Sequence, residues 1–256
     1  MSLNRSIFEK ATKHNREWGC ALLDGLELTG SERILDLGCG DGACSRLLAG
    51  RVPRGSVTAV SFSQPELGME PPEGPENLRF VPMDPYSLSF PGEFDLIFSH
   101  GILHWVLDHR QLLSRLRGFL RAGGRICWEF GAAGNCDALR RTLLQTMDDP
   151  EYREYFKGFE WPWYMPAAEE YRGLLAEAGF TCIRAEEAAF RGLFESPEEV
   201  LAWLDMLSLL PFRDALPEHL RESFRDDVAV GVISRCRKPG GIYEERFHRL
   251  RVMAVK

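Results

Sequence analysis

The chain has 256 residues, 45% of them hydrophobic and 27% charged, the balance of a soluble globule that can bury a sizeable core as one large α/β domain or one domain with a cap. Its net charge of −7, from 31 basic and 38 acidic side chains, excludes the broad cationic footprint of a nucleic-acid binder. There is no signal peptide and no apolar run long enough for a bilayer. The seven scattered cysteines form neither a CxxC pair nor a zinc-spaced set, which predicts free thiols in the cytoplasm and no metal site.

Residues 4–28 read as one or two helices leading into the core. Arg33–Leu37 is a strand with Ile34, Leu35 and Leu37 apolar, and Gly42–Ala49 a helix stopped by Gly50. Val57–Phe62 is the next strand. Pro65, Gly68, Pro71, Pro72, Gly74 and Pro75 forbid a long helix over 65–75 and predict a single turn followed by loop. Leu78–Val81 is a third strand, and Phe94–Ser99 a fourth, apolar enough for burial on both faces. Asp108 caps a helix with a stripe at Leu112, Leu113, Leu116, Phe119 and Leu120, ended by Gly123-Gly124; Arg125–Phe130 is the fifth strand. This alternation predicts a parallel sheet with helices on both faces.

The pattern then changes. Residues 136–166 read as helical and end in Phe156, Phe159, Trp161, Trp163, Tyr164 and Met165. A helix over Ala167–Gly179 and a strand over Thr181–Ala188 follow, then a helical stretch over Ser196–Cys236 and a last strand over Phe247–Val255. The expected division is a core over 1–135, a helical cap in two parts (136–166 and 196–245), core elements over 167–195, and the closing strand in 246–256.

The chemistry concentrates in Asp36-Leu37-Gly38-Cys39-Gly40-Asp41-Gly42. Its glycines allow positive φ and close backbone approach, and the helix that follows offers unpaired N–H groups to a carboxylate. Dinucleotide sites space their glycines GxGxxG; here the spacing is GxGxG, preceded by an acid that would repel pyrophosphate but suits an ammonium. A ligand with ammonium and carboxylate joined to a nucleoside fits both ends.

The loop resembles the first motif of class I S-adenosylmethionine-dependent methyltransferases. Phe80-Val81-Pro82-Met83-Asp84, Phe94-Asp95-Leu96-Ile97-Phe98-Ser99 and Leu120-Arg121-Ala122-Gly123-Gly124-Arg125 are similar to the same family's third-strand motif, fourth-strand motif and turn before the fifth strand. His104-Trp105-Val106-Leu107-Asp108-His109 and Gly134-Asn135-Cys136 resemble the trans-aconitate methyltransferase group and related small-carboxylic-acid methyltransferases. The resemblance implies a Rossmann-like fold, a mostly parallel seven-stranded sheet with its last strand antiparallel, under a helical cap. It implies S-adenosylmethionine as cofactor and a small molecule, a carboxylic acid preferred, as methyl acceptor, with no nucleic acid or membrane as partner; oligomeric state is left open. The cofactor contacts it implies are Asp36, Gly38, Gly40, Gly42, Ser61, Phe62, Asp84, Tyr86 and Ser99, with Asp84 accepting from the adenine amino group.

Three features depart from the family pattern, one of them the helix after the second strand, which proline and glycine break on the adenine side of the pocket. The second strand ends in Ser61, where the family carries an acid for the ribose hydroxyls; losing those charge-assisted bonds costs about 1–3 kcal/mol. Pro85 has no N–H to offer the adenine ring. Hence the alternative reading of a non-catalytic adenosyl-ligand binding module that keeps the methyltransferase fold. A serine at position 61 would also suit a phosphorylated ribose, though the glycine spacing opposes an NADP-type ligand.

On the acceptor side, a carboxylate needs no general base, whereas an amine or phenol must lose a proton, for which histidine is the usual aid. His100, directly after the fourth strand, is the candidate catalytic residue. His104, Trp161, Trp163 and Tyr164 are the candidate acceptor pocket, weighed against ordinary packing roles.

Overall fold

The apolar segments read from the sequence become the strands of one sheet: β1 (Arg33–Leu37), β2 (Ser56–Ser61), β3 (Leu78–Pro82), β4 (Phe94–His100), β5 (Leu120–Gly131), β6 (Thr181–Phe194) and β7 (Tyr243–Val255). The helices are α1 (Lys13–Asp24), α2 (Ala43–Arg51), α3 (His109–Phe119), α4 (Asp137–Met147), α5 (Ala168–Glu177), α6 (Pro197–Trp203), α7 (Leu210–Asp214) and α8 (Glu218–Cys236). The computed structural model describes residues 13–62, 74–90, 92–205 and 209–256. The turn and loop expected from residue 65 lie mostly outside them. Among the described residues no helix is long and apolar enough to cross a membrane.

The sheet runs β3-β2-β1-β4-β5-β7-β6. Strands β1 to β5 pair in parallel, and β7 is antiparallel to β5. This is the mostly parallel seven-stranded sheet of the class I methyltransferase fold. Chain order reverses between β1 and β4, whose carboxyl ends meet at the pair Leu37↔Ser99. Such a switch point leaves a crevice for ligands in open α/β sheets.

The chain divides into two compact units. The first comprises Arg16–Ala133, Trp163–Ala188 and Arg249–Lys256. Its strands bury both faces because successive side chains alternate. Leu35, Leu37, Ile97, Ile126, Trp128, Leu250 and Val252 enter one cluster with α3 and α5, while Ile34, Leu96, Phe98 and Cys127 enter another with Leu23 of α1 and Leu48 of α2. By the same parity Asp36, His100, Glu129 and Arg251 belong to the α1–α2 face.

The second unit holds Gly134–Pro162, Ala189–His248 and the described residues up to Asn15. Here α4 packs on α8 so closely that a Cβ at Gly231 would stand 2.5 Å from Thr142 Cγ2. The buried Tyr152 hydroxyl donates to Asp227 at 2.7 Å. The Glu245 carboxylate accepts from the amides of Ala138 (3.2 Å) and Leu139 (3.0 Å), closing the first turn of α4.

Several boundaries differ from expectation. Gly50 lies inside α2, which ends at Arg51 with Val52 beyond it. Helix α3 stops at Phe119, before the glycine pair, because the sheet captures Leu120 opposite Phe94; the pairing shifts between Phe94 and Leu96. Gly123, at φ 72°, is a local irregularity within β5. The helix expected over 136–166 ends at Met147. Pro150, Pro162 and Pro166, with Gly158 at φ 73°, turn the aromatic stretch into turns and irregular chain. Among the described residues the stretch Ser196–Cys236 holds the three helices α6, α7 and α8, with Ser196 capping α6 and Pro211 and Pro217 at fresh starts.

Candidate functional site

Strand β1 ends at Leu37, and the next two amides, of Gly38 and Cys39, both donate to Val60 O, at 2.8 and 2.9 Å. The chain thus bends sharply over the end of β2. Gly38, Gly40 and Gly42 all have positive φ, of 72°, 53° and 72°. Two of them serve different ends. A Cβ on Gly38 would fall 2.2 Å from Ile102 Cγ2, so this glycine makes room for the segment after β4. A Cβ on Gly40 would meet nothing within 4 Å: its backbone borders open space. Asp41 Oδ1 accepts from the Ala43 amide at 3.0 Å and starts α2, and its carboxylate pairs with the partly exposed Arg16 at 2.9 Å.

Asp36, just before the loop, is 1% exposed. Burial pushes its carboxyl up to about 7, and the Ser45 hydroxyl, donating at 2.6 Å, works against the rise.

The other expected cofactor contacts lie along the same carboxyl edge. Ser61, half-buried at the end of β2, accepts from the Met83 amide through its carbonyl at 3.1 Å. Phe62 packs on the core cluster around Leu35. Asp84 is exposed and opens a turn in which its carbonyl accepts from the Ser87 amide at 3.1 Å, with Pro85 at the position where a fixed φ favours such a turn. The Tyr86 hydroxyl accepts from the Leu107 amide at 2.9 Å. Ser99 is fully buried, and its hydroxyl donates to Leu37 O at 2.7 Å, tying β4 to β1 one residue before the glycine loop.

His100 lies over β5 and under α1. Its Nε2 stands 3.5 Å from Glu129 Oε1, and a Cβ on Gly19 would come within 3.2 Å of its Nδ1. Burial lowers its pKa, with Glu129 pulling the other way. Glu129 is fully buried. Burial alone would raise its carboxyl, but the nearby His100, the charge of Arg249 and the hydrogen bond from Arg251 outweigh that and hold it at about 2. Arg251 Nε lies 2.6 Å from Glu129 Oε2, and Arg249 Nε 3.5 Å from Oε1. The sequence reading missed this array. The available signal was a glutamate within the apolar run Ile126–Phe130 and two arginines at alternate positions of the closing strand.

His104 lies in a 3-10 turn over Leu103–Trp105 and is 9% exposed; burial, followed by the charge of Arg249, lowers its pKa to about 3. Its carbonyl accepts from the Tyr164 amide at 2.8 Å. Trp163 meets Trp105 edge-on at 5.7 Å, and the Tyr164 hydroxyl donates to Glu170 at 2.6 Å. His109, at the end of the same motif, is committed to structure: its Nε2 donates to Leu103 O and its Nδ1 accepts from the Tyr171 hydroxyl, both at 2.9 Å. Trp161 belongs to the second unit, where its ring packs on Phe212 at 5.3 Å.

A methyltransferase-domain family profile matches residues 35–128. Along nearly the whole chain the sequence is 31% identical to a trans-aconitate 2-methyltransferase of Mycolicibacterium gilvum, covering 91% of each protein. It is 31% identical to the protein of the same description in Deinococcus radiodurans, covering 72% of each. Among solved structures, an S-adenosylmethionine-dependent methyltransferase of Mesorhizobium loti superimposes with a TM-score of 0.54 at 19% identity, over 94% of this chain and 98% of that one. A Haemonchus contortus phosphoethanolamine N-methyltransferase 2 in complex with S-adenosyl-L-methionine gives 0.56 at 18% identity, over 98% of this chain and 56% of that one. The chain belongs to the class I S-adenosylmethionine-dependent methyltransferases and is related, within them, to the trans-aconitate 2-methyltransferases.

Proposed function

We propose that the protein methylates a carboxylate oxygen of a small carboxylic acid. The observation that carries this is the extent of similarity to trans-aconitate 2-methyltransferases, 91% of the chain, which takes in the second unit as well as the sheet that carries the glycine loop. The cofactor fits the residues present. Gly40 has a positive φ and faces open space, so backbone there can be approached without a side chain intervening. In this reading Gly38, Gly40 and Gly42 hold the amino-acid end of the cofactor, with Asp36 toward its ammonium. Ser61 and Phe62 lie toward the ribose, Asp84 and Tyr86 toward the adenine, and Ser99 braces the loop from beneath.

When bound, the cofactor supplies a methyl group already activated on a sulfonium: the C–S bond breaks with its electron pair going to sulfur, and an acceptor oxygen lone pair forms the new C–O bond, leaving a methyl ester and a neutral thioether. The protein's part is alignment and exclusion of water. A carboxylate has no proton to lose, so the reaction needs no general base, which agrees with histidines, His100 and His104, whose basicity burial lowers inside the first unit. His100 is assigned to keep Glu129 in place beneath the acceptor, and His104, Trp163 and Tyr164 to line its pocket.

Incubation with S-adenosylmethionine and a panel of small mono-, di- and tricarboxylic acids, trans-aconitate included, alongside amines and phenols, tests the reading by mass spectrometry. Methyl esters of carboxylic acids are expected. Turnover confined to amines or phenols, or no turnover of any acceptor by protein that binds the cofactor, would refute it.

A further inference from the structure

We propose that a basic recess in the second unit, built from none of the residues assigned to the cofactor or the acceptor, binds a phosphate group, either as the free ion or as the monoester of a small molecule.

The recess has a volume of about 290 Å³ and forms where the start of α4, the end of α8 and the start of β7 come together. Four cations line it, each from a different place in the chain: Arg141 on α4, Arg235 in the last turn of α8, Lys238 in the turn that follows, and Arg246 on β7. The backbone that carries the last two is fixed. The Lys238 amide donates to Ile242 O at 2.9 Å, and Arg237 bridges to Tyr243, so the turn between α8 and β7 is closed. The Arg246 amide donates to Glu245 at 2.8 Å, and its carbonyl accepts from the Cys136 amide at 3.0 Å.

The acids of the recess are committed inside the protein. Asp137 takes Arg141 at 2.9 Å. Glu244, with its side chain 10% exposed, stands 3.4 Å from Arg191. The buried Glu245 takes the amides of Ala138, Leu139 and Arg246. The cations are less committed. Arg235 donates to the neutral amide of Gln145 at 2.7 Å, which fixes the guanidinium without cancelling its charge. Among the described residues neither the Lys238 ammonium nor the Arg246 guanidinium has an ion-pair partner. Three uncancelled positive charges therefore line one small recess of a chain whose net charge is −7.

The arrangement favours phosphate over carboxylate. A carboxylate has two oxygens in one plane, and a single guanidinium fork satisfies it. Three cations standing on separate elements match an anion with three acceptor oxygens pointing in different directions and close to two negative charges at neutral pH. Because Glu245 already takes the first amides of α4, recognition rests on the side chains alone, so it is sensitive to salt.

The test is calorimetric titration of the whole protein with inorganic phosphate, phenyl phosphate and succinate at matched ionic strength. Wild type is compared with Lys238→Ala, Lys238→Arg, Arg246→Ala and Lys157→Ala, the last removing an exposed cation of the same unit that pairs with Glu154 outside the recess. Wild type is expected to bind one phosphate per chain. Lys238→Ala and Arg246→Ala should each weaken it by about 10-fold, with thermal melts in the absence of phosphate unchanged. Lys238→Arg, which keeps the charge, should retain most of the affinity, and Lys157→Ala all of it. S-adenosylhomocysteine affinity should be the same in every variant, with or without phosphate. Tighter binding of phenyl phosphate would assign the site to a phosphorylated small molecule, and equal binding to the free ion; both support the recess. No binding by wild type, equal weakening in Lys157→Ala, displacement of phosphate by S-adenosylhomocysteine, or tighter binding of succinate than of phosphate would each overturn the proposal.

Discussion

Ser45 donates its hydroxyl to Asp36 at 2.6 Å, joining the start of α2 to the end of β1 where Asp36 is 1% exposed. One neutral hydroxyl does not compensate for burying a carboxylate, and the group stands at about 7 instead of 3.8. The fold therefore holds a proton that the unfolded chain has already released. Well below pH 3.8 the two states are protonated alike; as pH rises toward 7 the folded state loses stability, and above that the full penalty applies. Asp36→Asn should raise the ligand-free Tm at pH 8 by about 3–6 °C and change it little at pH 4, while weakening S-adenosylmethionine binding. Thermal unfolding across pH with and without ligand checks this; an equal Tm change at both pH values would place the carboxyl's titration elsewhere.

The two neighbouring glycines should fail in different ways. Gly40→Ala puts a methyl group into open space on a backbone at φ 53°, a local strain of about 1–2 kcal/mol. Gly38→Ala drives its methyl into Ile102. Gly40→Ala is expected to lose S-adenosylhomocysteine affinity by well over the amount that its modest Tm loss explains, whereas Gly38→Ala should chiefly lower Tm. Calorimetry and thermal melts on the pair separate ligand approach from packing.

Ser61→Asp restores the acid that the family places at the end of β2. If the ribose lies there, S-adenosylhomocysteine should bind about ten times more tightly, the lower end of the return from a charge-assisted bond. Unchanged or weaker affinity in calorimetry would move the ribose away from Ser61.

Glu245 makes a purely structural prediction. Its carboxylate takes the amides of Ala138, Leu139 and Arg246, and burial raises its pKa against those bonds. Glu245→Ala strands donors at the start of α4 and should cost about 1–3 kcal/mol in denaturant unfolding, with S-adenosylhomocysteine affinity unchanged in the protein that remains folded.

What could be read in the chain alone was local. Short apolar runs marked β1 and β4, Asp108 announced its cap on α3, and three alternate glycines demanded positive φ, all features that depend on a few adjacent residues. The same loop, with its preceding acid, was enough to point to the cofactor. Tertiary structure decided what depends on register between distant segments. Leu120 joined the sheet ahead of the glycines meant to end its helix, because pairing with Phe94 outweighed local propensity. Ile102 explained Gly38, and Gly40 was seen to border open space among the described residues. Above all, Glu129 met Arg251, 122 residues later, only because β7 pairs antiparallel to β5 in one register. A slip of one residue would have sent the arginines to the opposite face, and no pattern within either strand specifies that choice.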